Sequence, residues 1–260
     1  MQRAFIVALV VGALCSSMGT YVVLRKLSFI GDGLAHASFA GIAIAYLRGA
    51  NFYVGAAVAT IVTALGIGFV HRRANVSLDT AIGVLFTGAF ALGIFLMSRS
   101  TRATLDLQSF LFGNILGVSR GDLALVVVLG IIIALVVGAL WRPLLYTSFD
   151  PVVAQAAGIR ERFVDDALLV VLALTIIVSL QLVGIVLVAA LLVTPAAAAA
   201  QLTKRFVPMM LLSGAFGVFS AVGGLYASYQ LQASSGATIV LLATLVFFGA
   251  LGAKALRRRT

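Results

Sequence analysis

The sequence predicts an all-α, polytopic transmembrane helix bundle of eight or nine spans, and two observations carry that reading. The first is composition. Of 260 residues, 62% are hydrophobic and only 10% are charged, whereas a soluble domain keeps about a quarter of its residues charged. The second is distribution. Apolar residues come in long runs, such as 123–139 and 239–253, and several stretches reach the ~20 residues that cross a hydrocarbon core. The lipid bilayer is therefore the solvent, and residues 1–260 read as a single transmembrane domain.

Charges, glycines and prolines divide the chain into spans near 4–24, 33–47, 51–70, 79–98, 121–145, 163–182, 183–202, 206–229 and 237–256. The first run is longer than the ~7–15-residue apolar core of a signal peptide, so it is expected to stay as a first helix. The second is short, and the sixth and seventh meet at Val183-Gly184 with little polar loop between them, hence eight or nine crossings. Residues 108–118 (QSFLFGNILGV) are too few to span and are expected to form a short interfacial or re-entrant helix. Pro195 falls inside the seventh run and should kink or interrupt it.

The net charge of +10 does not point to nucleic acid. The basic residues sit singly or in pairs between apolar runs, without the clustered basic face that such a partner needs. They act instead as orientation signals. With the 71–78 loop cytoplasmic, 13 of the 18 Lys and Arg residues fall on that side, which predicts an N-out, C-in topology. The single cysteine, Cys15, has no partner for a disulfide or a Cys-based metal site and reads as a small buried hydrophobe. Small residues recur at Gly41 and Ala45, Gly66 and Gly68, Ala196 to Ala200, and Gly214 and Gly217. They let helix backbones approach where lipid gives no hydrophobic drive for association, and they suit a bundle with a second subunit.

Candidate chemistry concentrates in residues 28–41, SFIGDGLAHASFAG. Asp32 and His36 are four apart and share one helical face near the start of the second span. A carboxylate and an imidazole suit a divalent first-row metal, and ionisable groups inside a span face the bundle interior or a water-filled cavity. Gly31 and Gly33 would let the backbone open beside them. Two structural readings stand next to this one: Asp32 as an interfacial ion pair or helix N-cap near Arg25 and Lys26, and His36 as a polar contact between helices. His71, beside Arg72 and Arg73, reads as solvated, and Asp79 as a helix-start residue. Asp106 and Asp122 read as loop carboxylates.

Between the fifth and sixth runs lies Asp150, Pro151, Val152, Val153, Ala154, Gln155, Ala156, Ala157 and Gly158. Pro supplies a ready first turn and Gly a stop, so a short cytoplasmic helix is expected. It is either a docking element for a soluble partner or an ordinary connector. No G-x-x-x-x-G-K-[ST] loop is present, nor any Ser/His/Asp or Cys/His set. The chain is expected not to be an enzyme, and active transport would draw on a partner or an ion gradient.

Residues 22–41 (VVLRKLSFIGDGLAHASFAG), 111–118 (LFGNILGV), 183–199 (VGIVLVAALLVTPAAAA) and 235–241 (SGATIVL) resemble, in order and spacing, the permease family of bacterial zinc, manganese and iron ABC importers. The resemblance implies a multi-pass subunit of the bacterial plasma membrane in an ATP-driven importer. Its partners would be a second copy of itself, two cytoplasmic ABC ATPase subunits and an extracytoplasmic metal-binding protein. It implies that Asp32 and His36 coordinate the transported divalent ion, with no permanently bound cofactor, and that residues 150–158 are the helix coupled to the ATPase. Two departures stand out: Gln232-Ala-Ser-Ser-Gly where the family often has Asp-x-Pro-Ser-Gly, and Asn114 where many members have Asp. Both positions lie on the outer side in the expected topology. The main alternative is a gradient-driven secondary metal transporter using Asp32 and His36 as a proton relay. A non-transporting scaffold and an ABC permease for a bulkier cargo are the others.

Overall fold

A computed structural model describes residues 2–99, 117–149 and 151–257. The expected re-entrant helix at 108–118 therefore lies outside the described residues except for Gly117 and Val118, as do Asp106, Asn114 and Asp150. Eleven helices follow one another among the described residues: α1 (Gln2–Leu24), α2 (Ile30–Leu47), α3 (Phe52–Ala74), α4 (Leu78–Ser98), α5 (Arg120–Ala139), α6 (Trp141–Phe149), α7 (Pro151–Ala156), α8 (Glu161–Val183), α9 (Ile185–Leu202), α10 (Phe206–Leu231) and α11 (Ser235–Arg257). Nine of them, all but α6 and α7, are long and apolar enough to cross a membrane.

Two boundaries differ from the sequence reading and a third falls where it was read, each for a local reason. The run at 121–145 divides after Ala139, because Pro143 cannot donate to the carbonyl four residues back and its ring crowds that turn. The sixth and seventh runs part at Gly184, as read, and its φ of 81° and ψ of 166° belong to a region open essentially to glycine alone. Helix α2 starts at Ile30 rather than near residue 33 and passes unbroken through Gly31 and Gly33. The backbone does not open there. Gly33 instead permits close packing, since a Cβ on it would lie 2.8 Å from Ile82 Cγ2 of α4.

The chain forms two compact units. The first holds α1, α5 up to Gly130, α8 from Val178, and α9 to α11. Its helices meet at small residues: a Cβ on Gly12 would sit 2.9 Å from the Gly217 carbonyl oxygen, and one on Gly19 only 1.8 Å from that of Leu192. Of the two outcomes expected at Pro195, a kink or an interruption, the interruption does not occur: α9 runs from Ile185 to Leu202. The proline leaves the Leu191 carbonyl without its intrahelical donor, and the fully buried Ser16 hydroxyl of α1 donates to it at 3.0 Å. A serine from a neighbouring helix thus satisfies the freed carbonyl, the condition on which proline is tolerated in a bilayer. Cys15 is buried, as expected, 3.2 Å from Ser179 Oγ.

The second unit holds α2 to α4, α5 beyond Gly130, α6, α7, and α8 up to Ile177. Helices α2 and α3 touch at Gly41 and Gly55, where a Cβ on Gly41 would fall 1.9 Å from the Gly55 carbonyl oxygen. The end of α3 carries an ion pair invisible to local reading: Arg72 donates two hydrogen bonds, of 2.8 and 3.2 Å, to the carboxylate of Asp166 in α8. Gly68 leaves room for the pair, since a Cβ there would sit 2.9 Å from Asp166 Oδ1. His71 is not simply solvated. Its Nδ1 lies 2.7 Å from the Val76 carbonyl oxygen and donates to it, closing the turn in which Asn75 takes a left-handed φ of 54°.

Candidate metal-transport site

Helix α2 positions the pair that the sequence singled out. Phe29 is the N-cap and makes no side-chain capping bond, which places Asp32 inside the first turn and rules it out as the cap. There its negative charge meets the positive end of the helix dipole. His36 lies one turn on. Its Nδ1 is 2.9 Å from the backbone carbonyl oxygen of Asp32 and 3.3 Å from carboxylate Oδ1. A carbonyl can only accept, so Nδ1 carries the proton, and in its neutral form the ring presents Nε2 as its lone-pair nitrogen. Metal-binding histidines are commonly oriented in this way, by donation from the second ring nitrogen to a carbonyl or carboxylate.

The rest of the imidazole is held by aromatic rings of α4. Phe90 meets it edge-on with ring centroids 5.2 Å apart, and Phe86 at 6.0 Å with a 53° tilt. His36 therefore meets α4 through aromatic rings, while its polar bond stays within α2. The side chain of His36 is 22% exposed and that of Asp32 46%, so the carboxylate is open while the ring is clamped. Sequence reasoning missed the two phenylalanines. Their i, i+4 spacing opposite a histidine-bearing helix was the available signal. Among the described residues no cluster of three or more His, Cys, Asp or Glu side chains is placed to hold a metal. The described residues thus offer a two-residue donor set, a carboxylate and an oriented imidazole.

The short helix expected at 150–158 is present as α7, Pro151–Ala156. Gly158 closes it with a φ of 74°, and the amides of Gly158 and Ile159 donate to the carbonyls of Gln155 and Ala154, both at 3.0 Å. This paired bonding is a Schellman stop. Ala154 is fully buried, whereas Val152 is 76% exposed and Val153 49%. The Gln155 amide donates to Glu161 at 2.8 Å, pinning α7 to the start of α8. At the other end of the chain, Gln232 caps α10 in a left-handed conformation with a φ of 52°. The departure noted there falls at a helix end.

Known proteins agree with this architecture. Residues 1–254 match the family model described as the ABC 3 transport family. The chain is 44% identical over 247 residues to the manganese transport system membrane protein MntC of Halalkalibacterium halodurans, covering 95% of this chain and 85% of that one. It is 36% identical over 259 residues to a probable iron transport system membrane protein of Haemophilus influenzae, covering 100% and 95% respectively. Among solved structures, PsaBC from Streptococcus pneumoniae in complex with Fab superposes with a TM-score of 0.83 at 35% identity, over 96% of this chain and 90% of that one. The chain belongs to the ABC 3 transport family. It is a multi-pass permease subunit of a bacterial ABC transporter in the plasma membrane, and not itself an enzyme.

Proposed function

We propose that this permease carries a divalent transition-metal ion into the cell, manganese first and iron second, and that Asp32 and His36 are the residues the ion meets on its way. The observation that carries the reading is the oriented pair in α2: an imidazole with its Nδ1 proton committed to the Asp32 carbonyl, next to a half-exposed carboxylate. Imidazole and carboxylate together accept the borderline first-row cations. The relatives named for manganese and iron support that cargo. Zinc fits the same donors and is an outcome of the test below.

The remaining parts follow from the chemistry. Two protein ligands strip part of the ion's hydration without holding it, and conduction needs binding that is favourable yet reversible. A second copy of the chain would complete the path and bring its own Asp32 and His36 to it. An extracytoplasmic binding protein supplies the ion. Two cytoplasmic ATPase subunits supply the energy, since this chain has no phosphate-binding loop. Residues 150–158, from Asp150 to Gly158, act as the coupling helix. Val152 and Val153 offer exposed apolar anchors, and the flanking Arg142, Arg160 and Arg162 put this segment on the cytoplasmic side by the positive-inside bias. The resulting orientation is N-out, C-in, with residues 1–260 acting as one permease domain.

The test is metal accumulation, by mass spectrometry over a transition-metal panel, in cells expressing the permease with its neighbouring ATPase and binding-protein genes. The expected result is a rise in manganese, or in iron, that disappears with His36→Ala at equal expression. A rise confined to zinc would change the cargo and keep the site. A rise that survives both His36→Ala and Asp32→Ala would remove the site assignment. No rise for any metal, with all subunits assembled, would overturn the function.

A further inference from the structure

A groove of about 720 Å³ runs between α2, α3 and α4 inside the second unit. Its floor exists because Gly41 and Gly55 bring the backbones of α2 and α3 together. Its walls are apolar and face outward, with Val54, Val58 and Val62 61%, 56% and 63% exposed. Its mouth is polar, formed by Arg48 and Asn51. No carboxylate among the described residues pairs with the exposed Arg48 guanidinium.

Two observations fix what kind of occupant this shape takes. The first is depth. Tyr46 stacks on Phe52, with centroids 6.1 Å apart and 20° between planes, and the neighbouring Tyr53 is 48% exposed. Tyrosine rings at the ends of spans sit at the headgroup level, so Arg48 stands at that level too. The second is length. From Asn51 to Val62 the groove follows α3 for roughly 17 Å at 1.5 Å per residue, close to one leaflet of a hydrocarbon core ~30 Å thick. A cation at headgroup height above an apolar channel one leaflet long matches a single lipid in charge and in size.

We propose that this groove is a binding site for an anionic phospholipid, with its phosphate on Arg48 and one acyl chain laid along α3 from Val54 to Val62. The guanidinium makes charge-assisted hydrogen bonds to phosphate oxygens, and the exposed valines and Leu92 cover the chain. Such a lipid would brace α2, α3 and α4 against one another.

The test is native mass spectrometry of the purified full-length permease titrated with phosphatidylglycerol and with phosphatidylethanolamine of the same acyl chains. Phosphatidylglycerol is expected to bind about fivefold more tightly, the worth of one surface Arg toward an anionic lipid. Arg48→Gln, at an exposed position that should leave folding intact, is expected to bring the two lipids level. Ala89→Leu, which narrows the groove from α4, should weaken both lipids while keeping their order. Equal binding by the wild type would overturn the proposal, as would a preference that survives Arg48→Gln or binding untouched by Ala89→Leu. Spontaneous disulfide cross-linking of Val58→Cys between two copies in native membranes would also overturn it, by putting a second protein chain where the lipid belongs.

Discussion

The hydroxyl of Ser16 in α1 donates to the carbonyl oxygen of Leu191 in α9 at 3.0 Å, and Leu191 is the residue whose intrahelical donor Pro195 removes. Around this bond the packing is at its limit: a Cβ on Gly217 would lie 1.8 Å from Ser16 Oγ, and one on Gly19 1.8 Å from the Leu192 carbonyl oxygen. The proline, the serine and the two glycines thus form one device. Pro195 opens a carbonyl, Gly19 lets α1 come close, and Ser16 closes the opening.

That device predicts a coupling. Ser16→Ala should cost about 1–3 kcal/mol, because it leaves a buried carbonyl without a donor. In a Pro195→Ala background, where the amide at 195 can serve the carbonyl again, the same change should cost clearly less. Melting of the four proteins in detergent by size-exclusion chromatography completes the cycle. Equal costs in both backgrounds would show that the serine does not serve the proline's carbonyl.

The pair in α2 predicts two different losses. His36→Ala removes the nitrogen ligand and should abolish manganese accumulation at limiting external metal. Asp32→Asn keeps the shape and the backbone carbonyl that orients His36 but gives up the charge. Uptake should then fall by at least the roughly 10- to 100-fold that loss of an outer-shell partner alone costs in metal affinity, with partial recovery as external manganese is raised. Radiolabelled manganese uptake against concentration separates the cases. An Asp32→Asn curve matching the wild type at every concentration would take the carboxylate off the path.

How far each feature was legible depends on its range. Long apolar runs and the i, i+4 spacing of Asp32 and His36 are local, so the helices and the pair could be read directly. Local punctuation misled where a residue's purpose is tertiary. Gly33 looked like a place for the backbone to open, yet it serves packing against Ile82. Pro195 looked like a kink or a break, yet α9 continues through it and Ser16, 175 positions before Leu191, satisfies the carbonyl it frees. Arg72 finds Asp166 across 94 positions. The only trace of that pair in the chain is Asp165-Asp166 just inside an apolar span, next to the basic Arg160-Glu-Arg.

The Arg72–Asp166 pair predicts a modest effect. Both side chains are about a third exposed, at 30% and 33%, so water screens them and the pair should contribute about 1 kcal/mol or less. Arg72→Glu and Asp166→Arg should each lower the melting temperature slightly, and the double exchange should recover most of the loss. Gly68→Val should mimic the single changes, because a side chain there enters the space between Asp166 and Arg72. Failure of the exchanged pair to recover would assign the loss to packing at Gly68 rather than to charge.

The coupling-helix proposal predicts an effect that leaves the permease itself untouched. Val152 is 76% exposed, whereas its neighbour Ala154 is fully buried, so the two positions of α7 should respond oppositely to substitution. Val152→Asp adds a charge to a surface already open to water and should not change the melting temperature of the isolated permease. It should cut co-purification of the ATPase subunits about tenfold or more, since a buried valine anchor is worth about 1.5–3 kcal/mol and each 1.4 kcal/mol is tenfold. Ala154→Asp should instead destabilise the permease by burying a charge. Quantitative co-purification from membranes expressing all subunits, run beside melting of the permease alone, gives both readings. Undiminished ATPase recovery with Val152→Asp, at unchanged transport, would make α7 an ordinary connector.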